Sequence, residues 1–471
     1  MIKVCKFGGS SVATKEGYFR LKQIIEADEE RKAIIVSAPG KRFSGDEKIT
    51  DLLYYAFSVI GDKGAYSETA DKIIARFSVL ADFVGFRRIK KEVEKFFLRD
   101  GLFTDEKTFV SRGEYFSAKI VAEYLDGDFL DSKDCLIFDY NGKLNFAETK
   151  VRLKKLINPN KLTVIPGFYG GFFGGQINLL FRGASDYSGA CIAAALGARE
   201  YENFTDVDGI FEADPKIYEK ARVVPFLTFY ELSVLSASGA KVLEEHTMQP
   251  LVFSCIPLVV KNTFSEEEGT RVEKTRRAFT GKPIGITGKM GLIVFSVALT
   301  SNVEEAKTIR GISSFLAEKS ISTEVFFVRR KAAIFVVKKE KIDKCFFPSD
   351  GIADRSEENF DKRLRFIEKQ ISRLYGVAVV CHVGACSVSV VGECPESTRE
   401  RAVSRPNDSN VRPIFSQSVE KYSSVLYESF EKNGSEVICA HYSEDDNVLD
   451  FYLKCDDLNE AVRAACSVVF G

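Results

Sequence analysis

The sequence predicts an α/β protein: a mostly parallel sheet covered by helices on both faces, followed by two small βαββαβ modules. Over the first part of the chain, short apolar runs alternate with helical segments, which is typical of a parallel sheet with helices on both faces. From about Gly281 onward, two repeats show the order of elements found in ferredoxin-like modules. The length of 471 residues allows several domains at roughly 150 residues each.

In the first part, strands are predicted in IKVCKF and in KAIIVSAP, which ends in a Pro-Gly turn. The segment GYFRLKQIIEADEE between them has helical spacing, and residues 51–98 are predicted to be helical. Further strands are predicted in CLIFDY, LTVIPGFYG and YENFTDVDGIF, and a helix in YSGACIAAALGA. Ligands of parallel sheets bind at the carboxyl ends of strands, and the motif-bearing segments lie at such ends.

In the second part, the first repeat consists of a strand in GLIVFSVAL, a helix in VEEAKTIRGISSFLAE, and strands in STEVFFVRR and AAIFVVKK. The second repeat has strands in CSVSVVGE, EVICAHYS and VLDFYLKC, with helices around SVEKYSSVLYESFEKNG and in LNEAVRAACSVVF. Residues 394–412 form a polar insertion, which we expect to be either an exposed loop or partly disordered.

Composition excludes several classes of function. The formal net charge of −1 gives no electrostatic argument for binding nucleic acid or an anionic membrane. No run of eighteen apolar residues and no signal-peptide core is present, so we expect a cytoplasmic protein. The 11 cysteines contain no CxxC pair and the 3 histidines are far apart, so we expect reduced thiols and no metal site.

The stretch KFGGSS, Lys6 to Ser11, has the composition of a phosphate-binding turn. It follows a predicted strand and precedes a helical segment, so glycine N–H groups, a helix N-terminus and the Lys6 ammonium would face one anion. It is neither GxxxxGK[ST] nor GxGxxG. Taken alone, one lysine and two glycines are weak evidence, and an ordinary turn between a strand and a helix is the favoured explanation.

Several later stretches carry charged residues in a similar setting. In RGASD, the serine or the aspartate could be a helix N-cap, which leaves Arg182 unexplained. Arg112 and Glu114 of SRGE could form a surface pair. The acidic stretch FTDVDGIFEADPK lacks EF-hand spacing, and the lysines of GAKVL and KNTF could be solvated.

Together these stretches resemble the motifs of the aspartokinases, within the amino acid kinase family. They occur in the family's order over about the first 275 residues: KFGGSS, SAPGK with KITDLL, SRGE, RGASD, FTDVDGI with ADPK, GAKVL, and KNTF with GT. The two C-terminal modules resemble, more loosely, the paired ACT domains of these enzymes. The resemblance implies an amino acid kinase-type three-layer sandwich at 1–275 and two intertwined ACT modules at 281–380 and 381–471.

The resemblance implies phosphorylation of the side-chain carboxylate of L-aspartate by ATP with Mg²⁺, the first step toward lysine, threonine and methionine. A carboxylate is already ionised at neutral pH, so the reaction needs no general base. The implied catalytic residues are Lys6 and Asp186; ATP would be bound by Lys6, Gly8, Gly9, Ser10, Thr205, Asp206, Phe211, Lys216 and Lys241, and L-aspartate by Thr50, Glu114, Arg182 and Ser185. The resemblance also implies a homodimer or higher homo-oligomer, and an amino-acid effector, lysine or threonine, at the ACT modules.

The motifs depart from the family pattern at several positions. Phe181 and Ala184 replace glycines, and alanine would be strained if its backbone had to adopt positive φ. Glu244 replaces a common histidine, Phe211 a tyrosine, and Lys216 an arginine, which loses bidentate geometry.

Three alternatives remain beside the aspartokinase hypothesis. A different amino acid kinase is disfavoured because SRGE and RGASD occur together. A fused homoserine dehydrogenase is disfavoured because no strand-linked GxGxxG follows the kinase motifs. The glycine replacements would suit a degenerate, non-catalytic homologue that senses an amino acid.

Overall fold

The computed structural model describes residues 2–181, 183–240, 242, 245–276, 280–299, 305–329, 331–344, 357–394 and 419–471. Contacts between residues divide the chain into two units. The first consists of Met1–Ile210, Val223–Ser233 and Val242–Arg276, and the second of Phe211–Arg222, Val234–Lys241 and Arg277–Gly471. The predicted boundaries at 275, 281 and 380 stay predictions, and two short segments from before residue 275 belong to the second unit.

Among the described residues, the first unit contains an eight-stranded main sheet and a smaller three-stranded sheet of Ile137–Phe138, Tyr169–Phe172 and Ile177–Leu179, with helices between many of the strands. The strands are β1 Lys3–Phe7, β2 Arg31–Val36, β3 Asp128–Phe129, β4 Ile137–Phe138, β5 Thr163–Pro166, β6 Tyr169–Phe172, β7 Ile177–Leu179, β8 Glu200–Thr205, β9 Phe226–Thr228, β10 Leu258–Asn262 and β11 Thr270–Glu273. The helices up to residue 254 are α1 Lys15–Glu26, α2 Ile49–Ser58, α3 Lys63–Val84, α4 Arg87–Leu98, α5 Glu106–Tyr124, α6 Ser132–Cys135, α7 Phe146–Leu156, α8 Ser185–Leu196, α9 Phe229–Ser238 and α10 Glu245–Ser254.

The main sheet has the strand order β3-β5-β2-β1-β8-β10-β11-β9 among the described residues. All of its strand pairs are parallel except β10 with β11, which confirms the predicted mostly parallel sheet. Helices α1 to α5 pack on one face, where Tyr18, Leu53, Phe77 and Phe109 share a core with Phe7 of β1. Helix α8 packs on the other face against β1, β2 and β8, and α10 packs on α8. The strands therefore end together at one edge, between two layers of helices.

The centre of this sheet holds a buried cluster of charges. Glu202 of β8 has no exposed side-chain surface, and both its oxygens accept from Arg31 of β2, at 2.6 and 2.8 Å. Lys261 of β10 lies 3.2 Å from the same carboxylate. Burial alone would raise the pKa of Glu202, but the Arg31 and Lys261 charges hold it below its ordinary value. The charge cluster thus joins β2, β8 and β10: β8 pairs directly with β10, and β1 lies between β8 and β2.

Among its described residues, the second unit contains one sheet, to which both predicted modules contribute. Its strands are β12 Pro283–Ala298, β13 Thr323–Arg329, β14 Ala332–Lys338, β15 Val379–Gly392, β16 Glu436–Ser443 and β17 Val448–Lys454, in the order β13-β14-β12-β15-β17-β16 among the described residues. Its helices are α11 Glu305–Glu318, α12 Lys339–Asp343, α13 Glu357–Tyr375, Ser423–Lys432 and Leu458–Val469. All of its strand pairs are antiparallel, as expected for ferredoxin-like modules.

The two long central strands, β12 and β15, each contribute to both halves of this sheet. The second half of β12 pairs with β14, and the second half of β15 pairs with β17. The pairing of β12 with β15 changes register between Lys289 and Ile293, where Gly291 adopts φ 72°. Gly384 of β15 adopts φ 71°. Glycine adopts this backbone conformation at little cost, so each strand can bend where it passes from one half to the other. Within the described ranges, no helix has both the length and the apolar character needed to cross a bilayer.

Replacing Arg31 should destabilise the first unit, because the fully buried Glu202 carboxylate would lose both hydrogen bonds from the guanidinium. The carboxylate would keep its ion pair with Lys261 and a weaker attraction to Lys3. We expect Arg31→Met to lower the free energy of unfolding by about 3 kcal/mol. Urea denaturation followed by circular dichroism at 222 nm measures this. Arg199→Met is the matched control, because Arg199 pairs with Glu30 at 2.8 Å on the surface, where a pair contributes less than about 1 kcal/mol. Equal losses in the two variants would contradict a stabilising role for the charge cluster.

Candidate active site

The turns that follow β1 and β2 are in direct backbone contact. The N–H of Gly40 donates to the carbonyl of Gly9 over 2.8 Å. A Cβ on Gly9 would lie 2.9 Å from the carbonyl oxygen of Ala38, and a Cβ on Gly40 would lie 2.8 Å from the Gly9 carbonyl carbon. Both positions therefore need glycine for steric reasons. After Gly9 the chain enters a short 3₁₀ helix, Ser10–Val12, that leads into α1.

Helix α3 contributes an arginine that the sequence analysis did not single out. The Arg76 guanidinium donates to the carbonyl oxygens of Gly40 and Glu47, at 2.5 and 2.9 Å, and lies 3.2 Å from the Asp46 carboxylate. It therefore joins both ends of the loop between β2 and α2. The signal was present in the sequence, since Arg76 follows Ile73 by three residues and so lies on the apolar face of α3.

The Lys6 side chain points to the face of the sheet that α8 covers. Its ammonium lies 2.5 Å from Oδ1 of Asp186, in the first turn of α8. The Lys6 side chain is 9% exposed and the Asp186 side chain is 23% exposed. A Cβ on Gly8 would lie 3.5 Å from the Lys6 ammonium, so the charge stands directly beside the glycine turn. The N-terminus of α8, the ammonium and the turn together favour an anion at this edge of the sheet.

The start of α8 answers the question that the sequence raised at Ala184. Ala184 is the N-cap residue, fully buried, with φ −73° and ψ 14°. The left-handed residue is Gly183, at φ 86°. Alanine is therefore unstrained where the family has a glycine. The Phe181 ring, 38% exposed, packs against Tyr187 with ring centroids 5.8 Å apart.

Glu114 on α5 is a buried carboxylic acid beside the two glycine turns. A Cβ on Gly113, its neighbour, would lie 2.9 Å from the Ala38 Cβ. Burial raises the pKa of Glu114 to about 8, although backbone N–H groups of Ala38 and of Glu114 itself lower it. Among the described residues, its Oε2 has no hydrogen-bond partner. A buried acceptor without a donor is costly, and an ammonium group on a ligand would satisfy it.

The last residues of β8 lie next to the glycine turn. The Gly8 N–H donates to the Phe204 carbonyl at 3.0 Å, and the Thr205 carbonyl accepts from the Thr263 N–H at 2.9 Å. The Thr205 hydroxyl donates to Asp206 over 3.2 Å. The buried hydroxyls of Ser11 and Thr263 lie 2.7 Å apart. The KFGGSS and KNTF motifs are thus tied together, a contact that the separate motifs did not reveal.

The remaining predicted site residues lie in different settings. Ser185 is buried in the first turn of α8, where Gly167 leaves room for it, and Thr50 is half-buried at the start of α2. Phe211 and Lys216 belong to the second unit, half-buried and exposed respectively. Arg182 and Lys241 lie outside the described residues. The structure therefore brings nine of the predicted site residues into one connected region: Lys6, Gly8, Gly9, Ser10, Glu114, Ser185, Asp186, Thr205 and Asp206. The role of each of these residues stays a prediction.

Phe168 is a further residue that the sequence analysis missed. It follows β5 and adopts φ 70°, a conformation rare for an aromatic residue. Its N–H donates to the Ser188 hydroxyl of α8 at 3.1 Å. The positive φ of Phe168 could not be predicted, because the sequence analysis assigned IPGFYG to one strand.

Burial of Glu114 should make stability fall as pH rises. Its pKa is about 8 in the folded chain and near 4.5 when unfolded, so stability is greatest below pH 4.5, where both states are protonated, and falls until pH has risen through 8, where both are ionised. Between these values the free energy of unfolding should fall by up to about 1.4 kcal/mol per pH unit. Glu114→Gln should remove this slope, which urea denaturation at pH 6, 7 and 8 would test. Identical slopes in both proteins would show that Glu114 is ionised in the folded chain.

Comparisons with known proteins agree with the motif resemblance. The model of the amino acid kinase family matches residues 1–262. "Aspartokinase 3" of Bacillus subtilis is 32% identical over 310 residues, which cover 62% of this chain and 67% of that protein.

Solved structures extend the similarity to the whole chain. The aspartate kinase of Clostridium acetobutylicum is similar at a TM-score of 0.77 and 26% identity, over 100% of this chain and 99% of that one. Aspartokinase III of E. coli, in complex with aspartate and ADP, shares the fold at a TM-score of 0.68, 21% identity and 100% of both chains. The chain belongs to the amino acid kinase family and, within it, to the aspartokinases.

Proposed function

We propose that this chain transfers the γ-phosphoryl group of ATP to the side-chain carboxylate of L-aspartate, giving 4-phospho-L-aspartate and ADP. This is the step that begins the aspartate-derived route to lysine, threonine and methionine. The observation that carries the proposal is the Lys6–Asp186 pair beside the glycine turn. In this pair, Asp186 holds the largely buried Lys6 ammonium, which supplies a positive charge at the point where the strands end.

The reaction brings two anions together. An oxygen of the aspartate side chain attacks the γ-phosphorus, a new O–P bond forms, and the bond to the β-phosphate oxygen breaks as ADP leaves. No proton has to be removed from the attacking carboxylate. The protein's task is therefore to position the reactants and to stabilise charge on the transferred group, the role we assign to Lys6. Asp186 orients the Lys6 ammonium.

We assign recognition of L-aspartate to Glu114, Arg182, Ser185 and Thr50. Glu114 would bind the substrate ammonium, which supplies the donor that its buried oxygen lacks. Because its pKa is about 8 in the free enzyme, this binding would release a proton near neutral pH. Arg182 would bind the α-carboxylate with two parallel hydrogen bonds, and Ser185 and Thr50 would complete the pocket.

We assign the nucleotide to the glycine turn and to the residues that follow β8. Gly8, Gly9 and Ser10 would place backbone N–H groups at the phosphates, and Lys6 would add its charge. The other proposed contacts are Thr205, Asp206, Phe211, Lys216 and Lys241. Mg²⁺ would arrive with the phosphates of ATP and offset their charge.

For the second unit we propose a regulatory role in the cytoplasm. Its six strands form an antiparallel sheet of the ferredoxin-like kind, with each half contributing a long strand to the other. This arrangement supports two ACT modules that bind an amino-acid effector, lysine or threonine, and that join chains into a homodimer or larger homo-oligomer.

ADP release coupled to NADH oxidation tests the activity. We expect release that depends on L-aspartate and not on L-glutamate, and a loss of about a thousandfold in kcat for Lys6→Met. Lys32→Met, which replaces a lysine near the start of β2, is the control and should keep wild-type activity. Release driven by glutamate would indicate another amino acid kinase. No release with either substrate would indicate a non-catalytic homologue.

The two glycines of the turn should respond differently to alanine. In Gly9→Ala, the new Cβ would lie 2.9 Å from the Ala38 carbonyl oxygen, so the backbone must shift, and we expect stability and activity to fall together. In Gly8→Ala, the nearest atoms are 3.5 Å away, so stability should hold. The new methyl group would nevertheless stand beside the Lys6 ammonium, and we expect KM for ATP to rise about tenfold. If Gly8→Ala kept the wild-type KM for ATP, the phosphates would have to bind at another place.

A further inference from the structure

Asn203 is a buried polar residue that no part of the proposed mechanism uses. It lies in β8 at the position paired with Lys6 of β1, so the two backbones are about 4.8 Å apart. Only 3% of Asn203 is exposed. Among the described residues, its side-chain oxygen has no hydrogen-bond partner.

Asn203 and Lys6 share one face of the sheet. Tyr201, two residues earlier in β8, donates its hydroxyl to the Asp186 carbonyl at 3.1 Å and packs against Gly189 of α8. Side chains two residues apart on a strand point to the same face, so Asn203 also faces α8. Laterally paired residues of parallel strands likewise share a face, which places the Asn203 amide beside the Lys6 side chain.

Lys6 has the donors that Asn203 lacks. Its ammonium carries three N–H groups, and within the described part of the chain its one ionic contact is with Asp186. The Lys6 Nζ lies 2.5 Å from the Asp186 Oδ1. Even so, among the described residues no donor meets this Asp186 oxygen with the angles of a hydrogen bond. The ligand-free arrangement therefore leaves ammonium donors and the Asn203 acceptor unmatched on adjacent strands.

We propose that Asn203 is a positioning residue for phosphoryl transfer: its side-chain oxygen accepts a hydrogen bond from the Lys6 ammonium when nucleotide is bound. This rests on the proposed function. ATP phosphates have only acceptors in their ionised form and cannot satisfy the amide oxygen. The three N–H groups of Lys6 would then point to Asp186, Asn203 and the phosphoryl group, which fixes the ammonium against the charge that develops.

Asn203→Leu tests this, because leucine has nearly the same size and no acceptor. We expect kcat to fall about 10- to 100-fold, the range for a lost hydrogen bond to a charged group, with KM for L-aspartate changed less than about twofold. The Tm should stay the same or rise, because an unpaired buried amide is removed. A purely structural asparagine would instead lower Tm and activity together. Asn203→Ala repeats the test if the leucine variant does not fold.

Thr163→Val is the matched control. Thr163 begins β5 of the same sheet, is 2% exposed, and its hydroxyl also lacks a partner among the described residues, but it lies at the opposite edge from the site. We expect wild-type kcat in this variant. If Asn203→Leu also keeps kcat within twofold of wild type, or loses Tm and kcat together, Asn203 does not position Lys6.

A crystal structure of the full chain with ADP separates this proposal from the proposed function. A wild-type protein without aspartate-dependent ADP release would overturn the proposed function alone. In the ADP complex, a distance of about 3.2 Å or less between Lys6 Nζ and the Asn203 oxygen supports the positioning role. A separation beyond that range contradicts it, whether or not the protein phosphorylates aspartate.

Discussion

The backbone contact between Gly9 and Gly40 is the constraint on which the site depends. It joins the turns after two adjacent parallel strands, and the missing Cβ atoms allow their main chains to touch. On one side of this contact the chain leads back to Lys6 of β1, and the Gly8 N–H donates to the Phe204 carbonyl of β8. On the other side the chain leads to Ala38, to Glu114 and to the start of α2. Arg76 holds the second turn from within α3, so a residue remote from the proposed chemistry defines its geometry.

Charge burial has two different consequences in this molecule. The Glu202–Arg31–Lys261 cluster is closed, since each oxygen of the carboxylate faces a cation, and we regard it as structural. At the strand ends the buried polar atoms are incompletely paired. Glu114 and Asn203 each have a buried oxygen without a donor among the described residues. Such groups reduce stability, and a ligand that supplies the missing partner recovers that free energy as binding or as transition-state stabilisation.

In the second unit, strands from both predicted repeats form one sheet. Strands β12 and β15 are long enough to serve both halves of the sheet, and a glycine with positive φ lies near the middle of each. Separate modules would each leave a sheet edge exposed at this position. Sharing the strands pairs those edges, which removes unpaired backbone groups and joins the cores through a common sheet.

The sequence by itself determined the fold class, many of the strands and helices and the candidate chemistry, but it did not predict α5, which carries Glu114, or α13. Periodicity and strand-ending motifs sufficed because a local pattern decides which face of a strand or helix is buried. Only the tertiary structure decided which side chains meet. The Lys6–Asp186 contact spans 180 residues, and no local pattern encodes the pairing of β1 with β8 that brings Asn203 beside Lys6. The tertiary structure also decided that Ala184 is unstrained, because the residue with positive φ is Gly183. These backbone dihedral angles depend on how α8 packs against the sheet, which composition does not determine.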